Sequence, residues 1–304
     1  MSRAPWPPAG RACRVAFVGP RAEFEACALG APAGGLDPLF VDFREGGDPE
    51  ALLASVEAFA PHVVIAFRPE ILPAGLLAGV AAVTVGYATG SGLAELDAGA
   101  FDRLVTDAPA AGAAWRALPL PVDDAFFADV RPARFPPRVL FAGDSTEYRE
   151  RLLVDAKHEH DLLHVVHGIH GERLHELFDR VDVAINVHTD EQPAFEQRVA
   201  MHLAAAHLVI SEPLTPSHAL EPGLDFVEIS GPWALKEAIG AARNNPRAWH
   251  RIRVRGRAKA ELFRASHVYP RLIADLRRDL ETFGSDRRRR QLTRTLTVGE
   301  APVA

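Results

Sequence analysis

The sequence predicts an α/β protein made of two Rossmann-like, doubly wound domains that face a cleft. Short apolar runs without polar alternation recur along the chain, which is typical of strands buried on both faces of a parallel sheet. Amphipathic segments with helical spacing lie between many of these runs. The length of 304 residues, 48% of them hydrophobic, exceeds the usual size of one core and indicates two domains of about 150 residues.

The first predicted domain covers residues 12–128, after a flexible N-terminus at residues 1–11. The run CRVAFVGP at 13–20 indicates a buried strand that ends in a Gly-Pro turn. Four further apolar runs continue the series, with helical segments such as DPEALLASVEAFA between several of them: LDPLFVDF, HVVIAF, VAAVTVGY and FDRLVTD. This alternation predicts a parallel sheet covered by helices.

A second domain is predicted at residues 138–284. The segment DVRPARFPP is rich in proline and arginine, so residues 129–137 are interpreted as a linker. The strand RVLFAG follows directly, and the β-α alternation continues through VDVAINVH and LVISEP. A long Arg-rich helical segment, from Pro246 to about Phe283, closes this domain. A disordered basic tail is expected at residues 285–304.

Charge and composition exclude several classes of protein. The net charge of −6 and the pI near 6.1 argue against a nucleic-acid partner. The basic run Arg287–Arg290 is interpreted as a solvated tail, with a weak contact to an anionic membrane surface as the alternative. The two cysteines, Cys13 and Cys27, form no metal or redox motif, and no apolar stretch has transmembrane length. We therefore expect a cytoplasmic protein.

The polar stretch between VDVAINVH and LVISEP is a candidate anion site. Ligands of doubly wound sheets bind beyond the carboxyl ends of the strands, and this stretch follows such an end. A helix is predicted from Pro193 to His207, with proline at its first position and free N–H groups that favour an anion. Arg198, in its first two turns, could bind a phosphate with both ends of its guanidinium group.

The second half of the chain resembles a known family. It looks like the carboxyl-terminal domain of two-domain GT-B glycosyltransferases of group 1 type, especially the spore-maturation-like (CgeB-like) branch. The resemblance covers residues 138–280, and the amino-terminal half matches only in its fold pattern. The matching segments are GERLHELFDRVDVAINV, FEQRVAMHLAAAHLVISE, EPGLDFVEISGPWALKEAI and NPRAWHRIRVRGRAKAELFRASHVYPRLIADL, the last with His267, Tyr269 and Arg271.

The resemblance implies transfer of a sugar from a nucleotide-sugar donor, held by the second domain, to an acceptor held by the first. It also implies that no bound metal or other cofactor is needed, because helix N-termini and basic side chains offset the diphosphate charge. Arg198 would contact the diphosphate, and Gly143 would allow the backbone to approach the donor. The expected donor-binding residues are Gly143, Asp144, Ser145, His167, His188, Glu196, Arg198 and Met201.

Two positions depart from the family pattern. Met201 stands where the family has a glutamate that holds the ribose hydroxyls, and Ala206 stands where it has a glycine. Methionine is a poor hydrogen-bond acceptor. Glu196 could contact the donor sugar or cap the start of the helix, or be a first-turn carboxylate favoured by the helix dipole. These departures leave open an alternative function, a catalytically weak or inactive relative that acts as a binding or scaffold partner.

The acceptor side is less defined. Gly19, Pro20, Gly90 and Ser91 follow predicted strands of the first domain and are expected to face the acceptor. Four carboxylates near strand ends are candidates for the general base of an inverting enzyme, and the sequence does not choose among them: Glu23, Glu25, Glu70 and Asp107. The histidines between His158 and His170 lack the spacing of a metal signature. The motif G-x-G-x-x-G is absent, which argues against a nicotinamide cofactor.

Overall fold

The computed structural model describes residues 6–89, 96, 98–107, 114–166 and 169–284. The predicted site residues Gly90, Ser91 and His167, and the basic run Arg287–Arg290, lie outside the described residues. The chain divides into two compact units. The first comprises the described residues within Met1–Leu120 and Ser266–Ala304, and the second is Pro121–Ala265.

The described residues form eleven strands and eight α-helices. In chain order they are β1 (Cys13–Gly19), α1 (Arg21–Cys27), β2 (Leu36–Asp42), α2 (Pro49–Phe59), β3 (Val63–Phe67), β4 (Val83–Ala88), β5 (Arg103–Thr106), β6 (Arg116–Ala117), β7 (Val139–Ala142), α3 (Glu147–Glu159), β8 (Leu162–Val165), α4 (Gly171–Asp179), β9 (Val183–Asn186), α5 (Gln197–Ala204), β10 (Leu208–Ser211), β11 (Val227–Glu228), α6 (Pro232–Asn244), α7 (His250–Ala260) and α8 (Ala265–Phe283).

The first unit contains a six-stranded parallel sheet in the order β2-β1-β3-β4-β5-β6. Every residue of β3, β4 and β5 is buried, which explains why these runs show no polar alternation. Helix α2 illustrates how local sequence sets an element. Asp48 caps it by accepting hydrogen bonds from the backbone N–H groups of Glu50 and Ala51, and Pro49 occupies the first turn.

Helix α8 belongs to the first unit from Ser266 onward, although the sequence analysis placed it in the second domain. The Tyr269 hydroxyl donates to the Cys27 carbonyl oxygen at 2.6 Å, and its ring packs edge-on against Phe17. The buried guanidinium group of Arg103 in β5 pairs with Asp279 at 2.6 Å. Helical periodicity predicts the helix but contains no information on which sheet it covers, so these long-range contacts decide its placement.

The second unit contains a five-stranded parallel sheet in the order β11-β10-β9-β7-β8. Helices α3 and α6 bury their apolar residues in one cluster with Phe141, Ile185 and Ile210 of the central strands. Helix α5 packs against α7 and against β9 and β10. The predicted α/β class with two parallel sheets and interleaved helices is confirmed.

Residues 129–137, which the sequence analysis interpreted as a linker, are anchored to the second unit. The Asp182 side chain, 1% exposed, pairs with the Arg134 guanidinium group at 3.2 Å and accepts from the Arg138 backbone N–H. Arg131 donates to the carbonyl oxygen of Val181 at 2.7 Å. These side chains tie the proline-rich segment to the residue before β9, and the second unit includes this segment, since it begins at Pro121.

Helix α5 begins later than predicted. It spans Gln197–Ala204 instead of Pro193 to His207, and Pro193 lies in the preceding loop. Phe195 precedes the helix, and its ring stacks on that of Phe263 at 5.4 Å. Ala206, after the helix, has φ = 59°, in the left-handed region where the resembling family has a glycine.

Candidate functional site in the second unit

Two neighbouring strands of the second unit end beside each other. β7 and β9 pair in parallel, so their carboxyl ends meet at one edge of the sheet. The loop Gly143–Ser145 leads from β7 to helix α3, and residues 187–196 lead from β9 to helix α5. Side chains from both connections converge at this edge, which is the position where ligands of doubly wound sheets bind.

Arg149 is the most buried charged side chain at this edge, at 3% exposure. It lies in the first turn of α3, where the Thr146 hydroxyl caps its backbone N–H. Its Nε donates to the carbonyl oxygens of Val187 and His188, and its Nη1 donates to that of Asp144 at 3.2 Å. Burial lowers the pKa of Arg149. Its Nη2 has no hydrogen-bond partner among the described residues.

Arg198 approaches the same edge from helix α5. Its Nη1 donates to the carbonyl oxygen of Ala142, the last residue of β7, and its Nη2 donates to Glu196. Its side chain is 21% exposed. Burial, and secondarily the positive charge of Arg149, lower the pKa of Arg198 to about 9. The guanidinium group therefore stays a cation at neutral pH, and two positive charges, one buried and one partly buried, share this edge.

Gly143 makes room for both guanidinium groups. A Cβ atom at this position would lie 2.5 Å from Nη1 of Arg198 and 3.2 Å from Nη1 of Arg149. Both groups also lie against the ring of Phe141, at 5.6 Å for Arg149 and 6.0 Å for Arg198. A side chain at residue 143 would therefore displace the arginines from the strand ends.

Glu196 lies between the positive charges. Its Oε2 accepts from Arg198, and its Oε1 is 3.6 Å from Nη2 of Arg149. The same Oε1 is 3.6 Å from Nδ1 of His188. Glu196 is the residue before α5, but within the described residues its side chain makes no capping hydrogen bond, so of the roles left open for it the side-chain cap is not observed.

His188 is held in one orientation by three contacts. Its backbone N–H donates to Glu212 at 2.7 Å, its carbonyl oxygen accepts from Arg149, and its Nε2 lies 2.9 Å from the carbonyl oxygen of Pro213. Because a carbonyl can only accept, Nε2 carries the proton. The buried Nδ1 then faces Glu196 with no hydrogen-bond partner in the described part of the chain.

Sequence reasoning missed three residues at this edge: Arg149, Tyr148 and Glu212. The Tyr148 hydroxyl donates to Oε1 of Glu212 at 2.5 Å, and burial, followed by this hydrogen bond, raises the pKa of Tyr148 to about 12. The positions of these residues relative to the predicted strands could have identified them. Tyr148 and Arg149 open the first helix after a strand-glycine turn, and Glu212 directly follows the apolar run LVIS.

The remaining expected donor residues are dispersed around this edge. Asp144 and Ser145 are exposed in the loop after β7, where the Ser145 hydroxyl donates to Glu150. Met201 is buried on α5 at 7% exposure. The structure thus brings Gly143, His188, Glu196 and Arg198 together, and its geometry adds Arg149 to them.

The residues expected at the acceptor lie in the first unit. Gly19 ends β1 with φ = 146°, and a Cβ there would lie 2.8 Å from the carbonyl oxygen of Phe67, while Pro20 precedes α1. Of the candidate bases, Glu25 pairs with Arg21 at 3.8 Å and Glu70 with Arg68 at 3.1 Å. No group of three or more metal-ligating side chains occurs within residues 6–89, 98–107, 114–166 and 169–284.

Known structures share this fold. HepE from Anabaena, crystallised with UDP-glucose, superposes with a TM-score of 0.55 at 10% identity, covering 88% of this chain and 100% of that one. The sucrose-phosphate synthase of Thermosynechococcus elongatus gives 0.56 at 12% identity over 89% and 99%. AviGT4, a glycosyltransferase involved in avilamycin A biosynthesis, gives 0.51 at 13% identity over 88% and 98%. The chain has the GT-B glycosyltransferase fold.

The glycosyltransferase likeness extends over both halves of the chain, since each of these structures covers 88–89% of it. No protein-family model matches the sequence, and the comparison with curated proteins gives no significant match. The spore-maturation-like branch remains a prediction. No helix in the described part of the chain is long and apolar enough to cross a bilayer.

Proposed function

We propose that the protein is a glycosyltransferase that takes a sugar from a nucleoside diphosphate sugar, and that its second unit binds the diphosphate at the ends of β7 and β9. The observation that carries the proposal is the pair of guanidinium groups beside Gly143, that of Arg149, which is buried, and that of Arg198, which is 21% exposed. This pair stands at the ligand-binding edge of a fold shared with glycosyltransferases, one of which was crystallised with UDP-glucose.

The pair suits the chemistry of the leaving group. When the bond between sugar and diphosphate breaks, negative charge grows on the diphosphate, and positive groups fixed nearby lower the energy of that state. Arg149 is held by three carbonyl oxygens, so it needs little reorganisation. Two arginines supply the charge that a divalent metal would otherwise supply, and we therefore propose that the donor site is metal-independent.

Recognition of the nucleoside differs from the family pattern. Met201 cannot replace the hydrogen bonds of a glutamate to the ribose hydroxyls. If no other group replaces them, donor binding loses roughly 1.5–3 kcal/mol. We therefore expect nucleoside diphosphates to bind largely through their phosphates, and the affinity to depend more on the diphosphate than on the base. The acceptor is proposed to bind at the first unit, on the side of Gly19 and Pro20.

The test is calorimetric titration with the diphosphates of uridine, guanosine, thymidine and adenosine. We expect at least one to bind, Arg198→Ala to weaken its binding at least about tenfold, and the matching nucleotide sugar to be cleaved. Arg151→Ala is the control, because Arg151 lies on α3 two residues after Arg149 but is 62% exposed and lies 3.8 Å from Glu191. Absence of binding across the panel would refute the proposal and favour the scaffold alternative.

A further inference from the structure

We propose that the Glu196 carboxylate is an intramolecular competitor for the diphosphate, and that donor binding displaces it from the two arginines. The inference rests on the proposed function, because it concerns the same site. It adds a role for Glu196 that is opposite to that of a donor-binding residue. The carboxylate takes the place of a phosphate oxygen and leaves when the diphosphate arrives.

The contacts of Glu196 are those expected of a bound anion. One carboxylate oxygen accepts from Nη2 of Arg198, and the other lies 3.6 Å from Nη2 of Arg149. A diphosphate that binds both guanidinium groups meets the same two nitrogen atoms, because Nε and Nη1 of Arg149 and Nη1 of Arg198 already donate to backbone carbonyl oxygens. The two ligands therefore exclude each other at Arg198.

Glu196 does not satisfy every hydrogen-bond donor at this edge. Nη2 of Arg149 is buried and donates no hydrogen bond to any described residue, because the Glu196 oxygen stays beyond hydrogen-bond distance. A buried donor without an acceptor is costly, and a phosphate oxygen placed there would satisfy it. A diphosphate can thus accept a hydrogen bond from Nη2 of Arg149 that Glu196 does not accept. This additional hydrogen bond favours the displacement of Glu196.

Glu196 can leave without unfolding its surroundings. It precedes α5 and its side chain caps no N–H group in the described part of that helix. It is 20% exposed, and the preceding residues 189–194 are exposed, so a rotated carboxylate reaches water. While it is in place, its negative charge offsets part of the repulsion between the two guanidinium groups.

A competing carboxylate also sets a threshold for ligands. An anion that contacts only one arginine gains too little to replace Glu196, whereas a diphosphate spans both. We therefore expect chloride and monophosphates to bind this site more weakly than they would bind the same two arginines in the absence of Glu196. Removal of the Glu196 charge should tighten the binding of every anion.

The experiment measures inorganic pyrophosphate binding by calorimetry in the full chain and in Glu196→Gln. Because the wild-type chain must first break the charge-assisted hydrogen bond between Glu196 and Arg198, we expect Glu196→Gln to bind pyrophosphate about 10- to 100-fold more tightly. Glu191→Gln is the matched control, since Glu191 lies in the same connection but is 80% exposed, and its affinity should equal that of the wild type. Equal or weaker binding by Glu196→Gln overturns the inference.

A second readout covers the stability of the variant. Glu196→Gln leaves two cations uncompensated, so its unfolding midpoint should fall and pyrophosphate should raise that midpoint more than in the wild type. If this variant does not fold, Glu196→Asp shortens the side chain by one methylene group and should give an intermediate gain in affinity. An affinity of Glu196→Asp equal to or below that of the wild type would equally overturn the inference.

The outcomes separate the two proposals. Tight pyrophosphate binding by Glu196→Gln without any nucleoside diphosphate binding would support the competitor role and refute the sugar-transfer function. Nucleoside diphosphate and pyrophosphate binding that are the same in wild type and Glu196→Gln would support the function and refute the competitor role.

Discussion

Replacement of Gly143 by alanine tests the geometry of the arginine pair most directly. The new Cβ would stand 2.5 Å from Nη1 of Arg198, whereas carbon and nitrogen atoms normally approach to about 3.5 Å, so the guanidinium group must move by about 1 Å. Such a shift breaks the hydrogen bond from Arg198 to the carbonyl oxygen of Ala142. The displaced guanidinium group also loses its hydrogen bond to the diphosphate, which contributes about 1.5–3 kcal/mol, so diphosphate or pyrophosphate affinity should fall about 10- to 100-fold.

The assay combines calorimetry with pyrophosphate and chemical denaturation. The side chain of Arg198 is flexible at its far end, so we expect the free energy of unfolding to fall by no more than about 1–3 kcal/mol. Gly240→Ala is the control. A Cβ there would meet the His160 ring at an ordinary 3.6 Å, and alanine in helix α6 should leave binding unchanged and add up to about 1 kcal/mol of stability. Wild-type pyrophosphate affinity in a folded Gly143→Ala protein would refute the reasoning.

Three further predictions concern stability, measured by denaturation. Gly256→Ala should destabilise by about 1–3 kcal/mol despite better helix propensity, because the Cβ would lie 2.5 Å from the backbone oxygen of Asp225; an unchanged midpoint would contradict this packing. Ala206→Gly should stabilise by roughly 0.5–1 kcal/mol, because the native φ of 59° favours glycine; a loss of stability would contradict it. Burial lowers the pKa of His207 to about 3 and that of His202 well below 6.5, so stability should be complete above pH 6.5 and fall as the pH drops from 6.5 towards 3. His207→Gln should flatten that fall by about 1.4 kcal/mol per pH unit, and a slope equal to that of the wild type would contradict the assignment.

Part of the candidate site could be predicted from the sequence. The resemblance implied Gly143, the polar connection after VDVAINVH indicated Arg198, and the structure places these two residues beside each other. Arg149 was missed, because an arginine in the first turn of a helix is usually exposed to solvent. Only the tertiary structure shows that its side chain lies over the strand ends. The pairing of Glu196 with Arg198 was missed because the predicted helix began at Pro193.

The start of α5 is an example of tertiary contacts overriding a local signal. Proline favours the first turn of a helix, so Pro193 was a reasonable start. In the structure Phe195 stacks on Phe263 from far along the chain, and the helix begins only at Gln197. No pattern within the segment indicates that partner.

The sequence by itself determined the local elements and the class of fold. Apolar runs without alternation specify strands buried on both faces, and caps such as Asp48 specify where helices begin, because these preferences act over a few residues. The tertiary structure alone decided that α8 joins the first unit, that residues 129–137 join the second, and that Arg149 reaches the same edge as Glu196. Each of these depends on contacts between residues that are far apart in the sequence, and no local pattern indicates such contacts.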